Sequence, residues 1–289
     1  MKDFKGKIFV ITGAAGAFGH AITRKFAPLG IRFYLLDLAP KMDVLKELSN
    51  ELMELGAEHA EGMVMDVTNQ EQITSVINEI GQKEKYIDIL VNNAGYGNEV
   101  SILNKGAVED FRKMMGVNVE GPWMITQTAI PYLGRPVKKP PKKNPKQREG
   151  LIIFMSSSVG VLSVPNMAAY CSTKHALNSI ADTIRLEFKL HDEKIHVTTI
   201  CPAPAHTGFW KGTEKFEGWL DHYKTKGRFF PHVTAEDVAK AVLKAVKGKK
   251  NEIMVPRWLN ILRIFRKITM RTTDYLVLKA EKRDSNELK

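Results

Sequence analysis

The sequence predicts an α/β fold, a doubly wound parallel sheet with helices on both faces, organised as a single domain plus a C-terminal helical tail. Three observations lead there. Short apolar runs near 7–12, 32–36, 86–91, 151–155 and 195–200 read as strands buried on both sides. Helical patterns separate most of these runs, as parallel strands with crossover connections require. Finally, Gly13, Asp37, Asp66 and Asn92 each stand at the carboxyl end of a strand, the edge where ligands of such sheets collect.

Composition sets the outer bounds. A chain of 289 residues can bury a full core, and apolar and charged fractions of 44% and 26% are those of an ordinary globular protein. Cys171 and Cys201 cannot build a disulfide framework and sit in no metal-ligand spacing, so a reducing compartment and no metal are expected. No apolar run approaches the ~18 residues of a spanning helix. Residues 1–7 lead straight into a strand without the pattern of a secretion signal, so the expected location is the cytoplasm. The formal net charge of +11 is informative through its location, at 135–148 and after Lys244, and such a surplus points to an anionic surface.

The strand at 7–12 is followed at once by Thr12-Gly13-Ala14-Ala15-Gly16-Ala17-Phe18-Gly19 and an amphipathic helix. Strand, glycine turn and helix is the context of a nucleotide phosphate site, because glycine lets the pyrophosphate approach amides at the helix N-terminus. The second strand ends at Asp37, whose carboxylate suits ribose hydroxyls and repels a 2′-phosphate, so NAD is favoured over NADP. A polar helix at 41–55, a strand at 61–65, a helix at 70–83 and the buried strand at 86–91 continue the alternation. One long helix is expected over 109–133, with Asn118 in its interior; that poor helix former either bonds locally or lines the site.

The strand at 151–155 delivers Ser156, Ser157 and Ser158, and a helix is expected over 168–190. Tyr170 and Lys174 then lie one turn apart on one face. A cation so placed favours the phenolate, and a serine hydroxyl beside it orients an alcohol or carbonyl oxygen, a set suited to moving a proton on and off oxygen. A strand at 195–200 leads into a rigid turn from Cys201 to Thr207. Aromatic residues scattered over 208–232 suit a lid over an apolar ligand or the packing of a peripheral helix. A helix from Thr234 to 247 and a strand at 252–255 complete the domain.

Two segments stand outside this alternation. The Pro- and Lys-rich stretch 134–150 is expected to be an exposed loop with no helix or strand of its own; it lacks aromatic residues for base stacking, so no nucleic-acid partner is expected. The tail 257–289, after a domain spanning 1–256, carries Trp258, Leu259, Ile261, Leu262, Phe265 and Ile268 on one side of a basic helix. It lies on an anionic membrane surface or folds back on its own domain or a second subunit.

With these residues read, the chain resembles the short-chain dehydrogenase/reductase family over about 4–256. The resemblance rests on the glycine turn, Asp66, Asn92-Asn93-Ala94-Gly95, Asn118, Ser157, Tyr170-Cys171-Ser172-Thr173-Lys174 and Pro202 to Thr207. It implies a Rossmann-type sheet, a homodimer or homotetramer, and an enzyme that interconverts a secondary alcohol and its ketone with NAD. By the same resemblance Tyr170 is the general acid/base, Lys174 lowers its pKa and holds the nicotinamide ribose, Ser157 binds the substrate oxygen and Asn118 holds a water. Gly13, Gly16, Phe18, Gly19, Asp37, Asp66, Val67, Asn93, Ala94, Gly95, Pro202 and Thr207 line the cofactor, with Asp66 at the adenine and Thr207 at the carboxamide. Ala17 stands where the family usually has a glycine, and Pro202-Ala203 replaces its Pro-Gly turn. The aromatic residues and the tail favour a sterol-, retinoid- or lipid-like substrate. The competing function is a dinucleotide-binding regulatory or scaffold protein without turnover.

Overall fold

A computed structural model describes residues 4–98, 102, 108–140, 142–205, 207, 209, 233–248, 250–261 and 264. Among these, β1 (Ile8–Thr12), β2 (Arg32–Asp37), β3 (His59–Val64), β4 (Ile89–Asn92), β6 (Arg148–Met155), β7 (Lys194–Pro202) and β8 (Glu252–Val255) form one parallel sheet in the order β3-β2-β1-β4-β6-β7-β8. The short β5 (Arg135–Pro136) pairs antiparallel with β6. Strand order reverses about β1 and β4, which leaves a crevice at their carboxyl ends.

Alternation along each strand divides the core in two. Phe9, Ile11, Phe33, Leu35 and Ile153 face one side, where they meet α1 (Ala17–Phe26), α2 (Met42–Glu54) and α7 (Ala235–Gly248). Ile8, Val10, Tyr34, Leu36 and Ile152 face the other, covered by α3 (Gln70–Glu84), α5 (Gly121–Ala129) and α6 (Ala168–Leu190). Sheets buried on both faces need apolar residues at successive positions, and β1 is buried at all five of its residues.

The structure departs from the sequence expectation in two places. The helix expected over 109–133 is broken into α4 (Val108–Met115), a π-helical turn at Gly116–Glu120, α5 and a 3₁₀ turn at Ile130–Tyr132. The polar Asn118 sits in the widened turn, where its side chain satisfies groups outside the helix.

The stretch 134–150 is also more ordered than its composition suggests. Besides β5, Gln147 donates from Nε2 to the Asp192 carbonyl at 2.6 Å, and Arg148 pairs with Glu193. Arg135 reaches the fully buried Asp88, which also accepts from Lys7 at 3.0 Å and from the Ile8 amide at 2.9 Å. A carboxylate that is 0% exposed needs such partners, because desolvation of a lone charge is costly.

Candidate active site

The glycine turn between β1 and α1 is built by close approach. Gly13 has φ 64°, and a Cβ there would lie 2.8 Å from the Ala94 Cα; a Cβ on Gly19 would lie 2.4 Å from the Ala14 carbonyl oxygen. Gly16 is the N-cap of α1, which has no side-chain cap and no acid in its first turn. The amides of this end are thus left for an anion. Asn93 clasps the turn from β4: its Nδ2 donates to the Thr12 and Gly13 carbonyls, each at 3.0 Å. Thr12 Oγ1 in turn accepts from the amides of Asn93 and Ala94. Asn93 and Ala94 therefore shape the turn through their own hydrogen bonds.

Asp37, at the end of β2, accepts from the Ala15 amide at 2.9 Å and from the Leu38 amide at 2.8 Å. A negative charge is held beside the glycine turn by these two donors. Asp66 stands further out at the end of β3 and accepts from Thr68, while Val67 is buried against the Gly121 position of α5. Phe18 packs partly into the apolar cluster under the sheet.

The second half of the crevice is formed by β6 and α6. Ser157 caps a short turn, its Oγ accepting from the Val159 amide at 3.3 Å and donating to the Pro202 carbonyl at 3.4 Å. It also acts on the Tyr170 phenol, favouring its ionised form. Lys174 donates from Nζ to the Met155 carbonyl at 3.0 Å and lies 5.5 Å from the centre of the Tyr170 ring. One of three ammonium donors is thereby used. Asn118, 0% exposed, accepts from the Tyr96 amide at 2.8 Å and donates to the Tyr96 carbonyl at 2.7 Å and to Thr173 Oγ1 at 3.1 Å. It bonds to groups far from it in sequence and ties the chain after β4 to α6. A Cβ at Gly95 would lie 3.4 Å from Asn118 Oδ1 and 3.7 Å from both Lys174 Nζ and the Phe209 ring. Ser157, Tyr170, Lys174, Asn118 and Gly95 thus lie around one cleft. Thr207 makes a bond of 3.4 Å to the Ala205 carbonyl. Most of the aromatic segment expected as a lid lies outside the described residues; Phe209 is the exception, its ring 6.1 Å from that of Tyr170.

Electrostatics in the cleft run against one expectation. Burial pushes the Tyr170 phenol above its usual pKa, with neighbouring Ser157 working in the other direction. Burial likewise brings the Lys174 ammonium down to about 8, opposed by Cys201. Loss of water around the phenol is the dominant effect, where spacing alone predicts a tyrosine acidified by Lys174. Three contributors escaped the sequence reading. Tyr96, Thr173 and the Thr12 hydroxyl hold the site from behind; the signal for Tyr96 is its place directly after the Asn-Asn-Ala-Gly segment at a strand end.

Several features fit a dinucleotide. The glycine cradle would be filled by a Cβ, the α1 N-terminus lacks a side-chain cap, and the Lys174 ammonium faces Gly95. Among the described residues no cluster of three or more His, Cys, Asp or Glu suits a metal. No helix among them is long and apolar enough to cross a membrane.

Known proteins place this geometry in a lineage. Dehydrogenase/reductase SDR family member 7B of Xenopus tropicalis is 28% identical over 289 residues, covering 98% of this chain and 87% of that protein. Farnesol dehydrogenase of Aedes aegypti is 30% identical over 209 residues, 72% of this chain and 80% of its own. A short chain dehydrogenase/reductase of Burkholderia phymatum, solved with NAD, superposes with a TM-score of 0.79 at 24% identity, covering 94% of this chain and 96% of that one. The pattern of the short chain dehydrogenase family matches residues 7–218, from the first strand through the cleft just described, and the chain belongs to that family of oxidoreductases.

Proposed function

We propose that this protein is an NAD(H)-dependent oxidoreductase that interconverts a secondary alcohol and its ketone. The observation that carries the reading is the buried pair Ser157 and Tyr170, with Lys174 one helical turn from the tyrosine and facing Gly95 across the cleft. Residues 1–256 form the catalytic unit and 257–289 a tail. The bound nicotinamide would supply or accept the hydride.

The chain's own groups handle the oxygen. Ser157 Oγ orients the substrate oxygen, and the Tyr170 hydroxyl donates a proton to it during carbonyl reduction or removes one during alcohol oxidation. The Lys174 ammonium stabilises the phenolate left after donation and holds ribose hydroxyls with its remaining donors. Asn118 keeps the backbone at Tyr96 and the helix at Thr173 in register, which sets the width of the cleft. Gly13, Gly16 and Gly19 admit the pyrophosphate, and the Asp37 carboxylate favours NAD over NADP.

An apolar substrate is supported by Met114, Val159, Met167, Ala169 and Cys171, which cluster with Tyr170 and take in Tyr96 and Val164 at their edge. The names of relatives that act on farnesol and on 11-beta-hydroxysteroids agree with that class. Exposed Phe111, Trp123, Leu186 and Leu190 on α4, α5 and α6 support pairing into a homodimer or homotetramer.

Tyr170→Phe tests the reaction against a regulatory dinucleotide-binding role. Turnover of alcohols or ketones should fall by roughly three orders of magnitude or more, at the upper end for one acid-base group. NADH binding, followed by fluorescence, should stay within a few-fold. Turnover that survives the substitution would reject Tyr170 as the proton carrier.

A further inference from the structure

We propose that the outer face of α7, with the exposed side chains of Trp258, Ile261 and Ile264, docks on an anionic lipid bilayer. Lys240, Lys244 and Lys247 recur at intervals of four and three residues, so they share one face of the helix. The opposite positions, Val238, Ala239, Val242, Ala245 and Val246, are buried in the core. The three lysines surround Leu243 and Gly248 in an open groove of about 390 Å³. Acidic compensation is thin. Asp237 stands 3.9 Å from Lys240 but accepts from the Thr234 hydroxyl at 2.7 Å, and Lys244 and Lys247 pair with no acid among the described residues. Like charges one turn apart repel each other, and an anionic surface relieves that repulsion.

The apolar half of the surface comes from the segment after β8. Leu259 is 2% exposed and joins the same core cluster as the buried side of α7, so it and the lysine-bearing helix lie on one face of the sheet. Around it, Trp258, Ile261 and Ile264 recur every third residue and are 36%, 56% and 54% exposed. Leu259 is the anchor, and its three neighbours face out. Cations beside exposed Trp and Ile suit the interface of a membrane, where the headgroups meet the lysines and the acyl boundary takes the apolar side chains. A nucleic acid would meet the lysines but gain little from the isoleucines. The catalytic cleft opens elsewhere, at the ends of β1, β4 and β6, so docking and turnover can be assayed separately.

Sedimentation of the full chain with vesicles of phosphatidylcholine, alone or mixed with phosphatidylserine, tests the proposal. The expected result is binding to the mixed vesicles that weakens with added salt. K240E/K244E/K247E should weaken it at least tenfold, since each basic residue near the surface contributes. I261S/I264S should weaken it several-fold. The milder K240Q/K244Q/K247Q, which keeps helix formers on the face, gives an intermediate loss and serves if charge reversal disturbs folding. Turnover in solution should be unchanged in all of these variants. Four results would overturn the proposal: no binding to mixed vesicles, equal binding with and without phosphatidylserine, tight DNA binding by a chain that ignores vesicles, or lysine variants that change only the mass of the assembly.

Discussion

Tyr170 is kept neutral by burial, so in the proposed reaction the resting cleft would hold its proton donor ready across the neutral range. Carbonyl reduction should therefore vary little with pH near neutrality, while alcohol oxidation, which needs the phenolate, should accelerate as pH rises; initial rates in both directions decide this. Lys174 has the matching signature in stability. Its folded-state pKa is about 8 against an ordinary 10.5, so between those values the unfolded chain binds more protons than the folded one. Stability from this group then rises with pH across that window, by at most about 3 kcal/mol, with the penalty constant below it. Urea unfolding of wild type and Lys174→Met at pH 7 and pH 10 should show the gap between them shifting in favour of wild type as pH rises. A gap that ignores pH would refute the buried-charge account. Asp37 is the third residue with a distinct readout. Asp37→Ser removes the charge beside the glycine turn, and the ratio of kcat/KM for NAD over NADP should fall at least tenfold, about 1.4 kcal/mol.

At the scale of elements, the turn between β1 and α1 has least room to change. A methyl group on Gly19 would meet the Ala14 carbonyl oxygen at 2.4 Å and that of Gly13 at 2.6 Å, so the turn must open to admit it. Gly19→Ala should destabilise by roughly 1–3 kcal/mol and weaken NADH binding, measured by thermal melting and fluorescence titration. This turn was legible in the sequence because glycine at a strand-to-helix junction has a backbone reason. The Tyr170–Lys174 pair was legible because helical spacing alone puts the two residues on one face. What spacing could not supply was the balance of solvent and charge, which raises the phenol's pKa. Nor could it place Asn118, whose partners at Tyr96 and Thr173 are 22 and 55 residues away. The small strand β5 was hidden for a similar reason: Arg135 and Pro136 read as loop, and only their partners Glu149 and Arg148 on β6 make them a strand.

Across the whole molecule the two rims of the sheet divide the work. The cleft lies at the carboxyl ends of the strands, whereas Asp88, Lys7, Arg135 and the 134–150 stretch brace the opposite ends. Removing residues 138–143 should leave kcat within a few-fold of wild type. Arg135→Ala, which strips a partner from a buried carboxylate, should cost on the order of 3 kcal/mol without moving KM for the cofactor; melting curves and steady-state kinetics separate the two effects. The widened turn at Gly116–Glu120 carries Asn118, which joins the two walls of the cleft at Tyr96 and Thr173. A π turn carries one residue more than an α turn, and each residue rotates a helix by about 100°. Deleting a single residue there would give a straighter helix and swing Asn118 out of the gap between Tyr96 and Thr173. Local regularity would improve while the two walls of the cleft came unlatched.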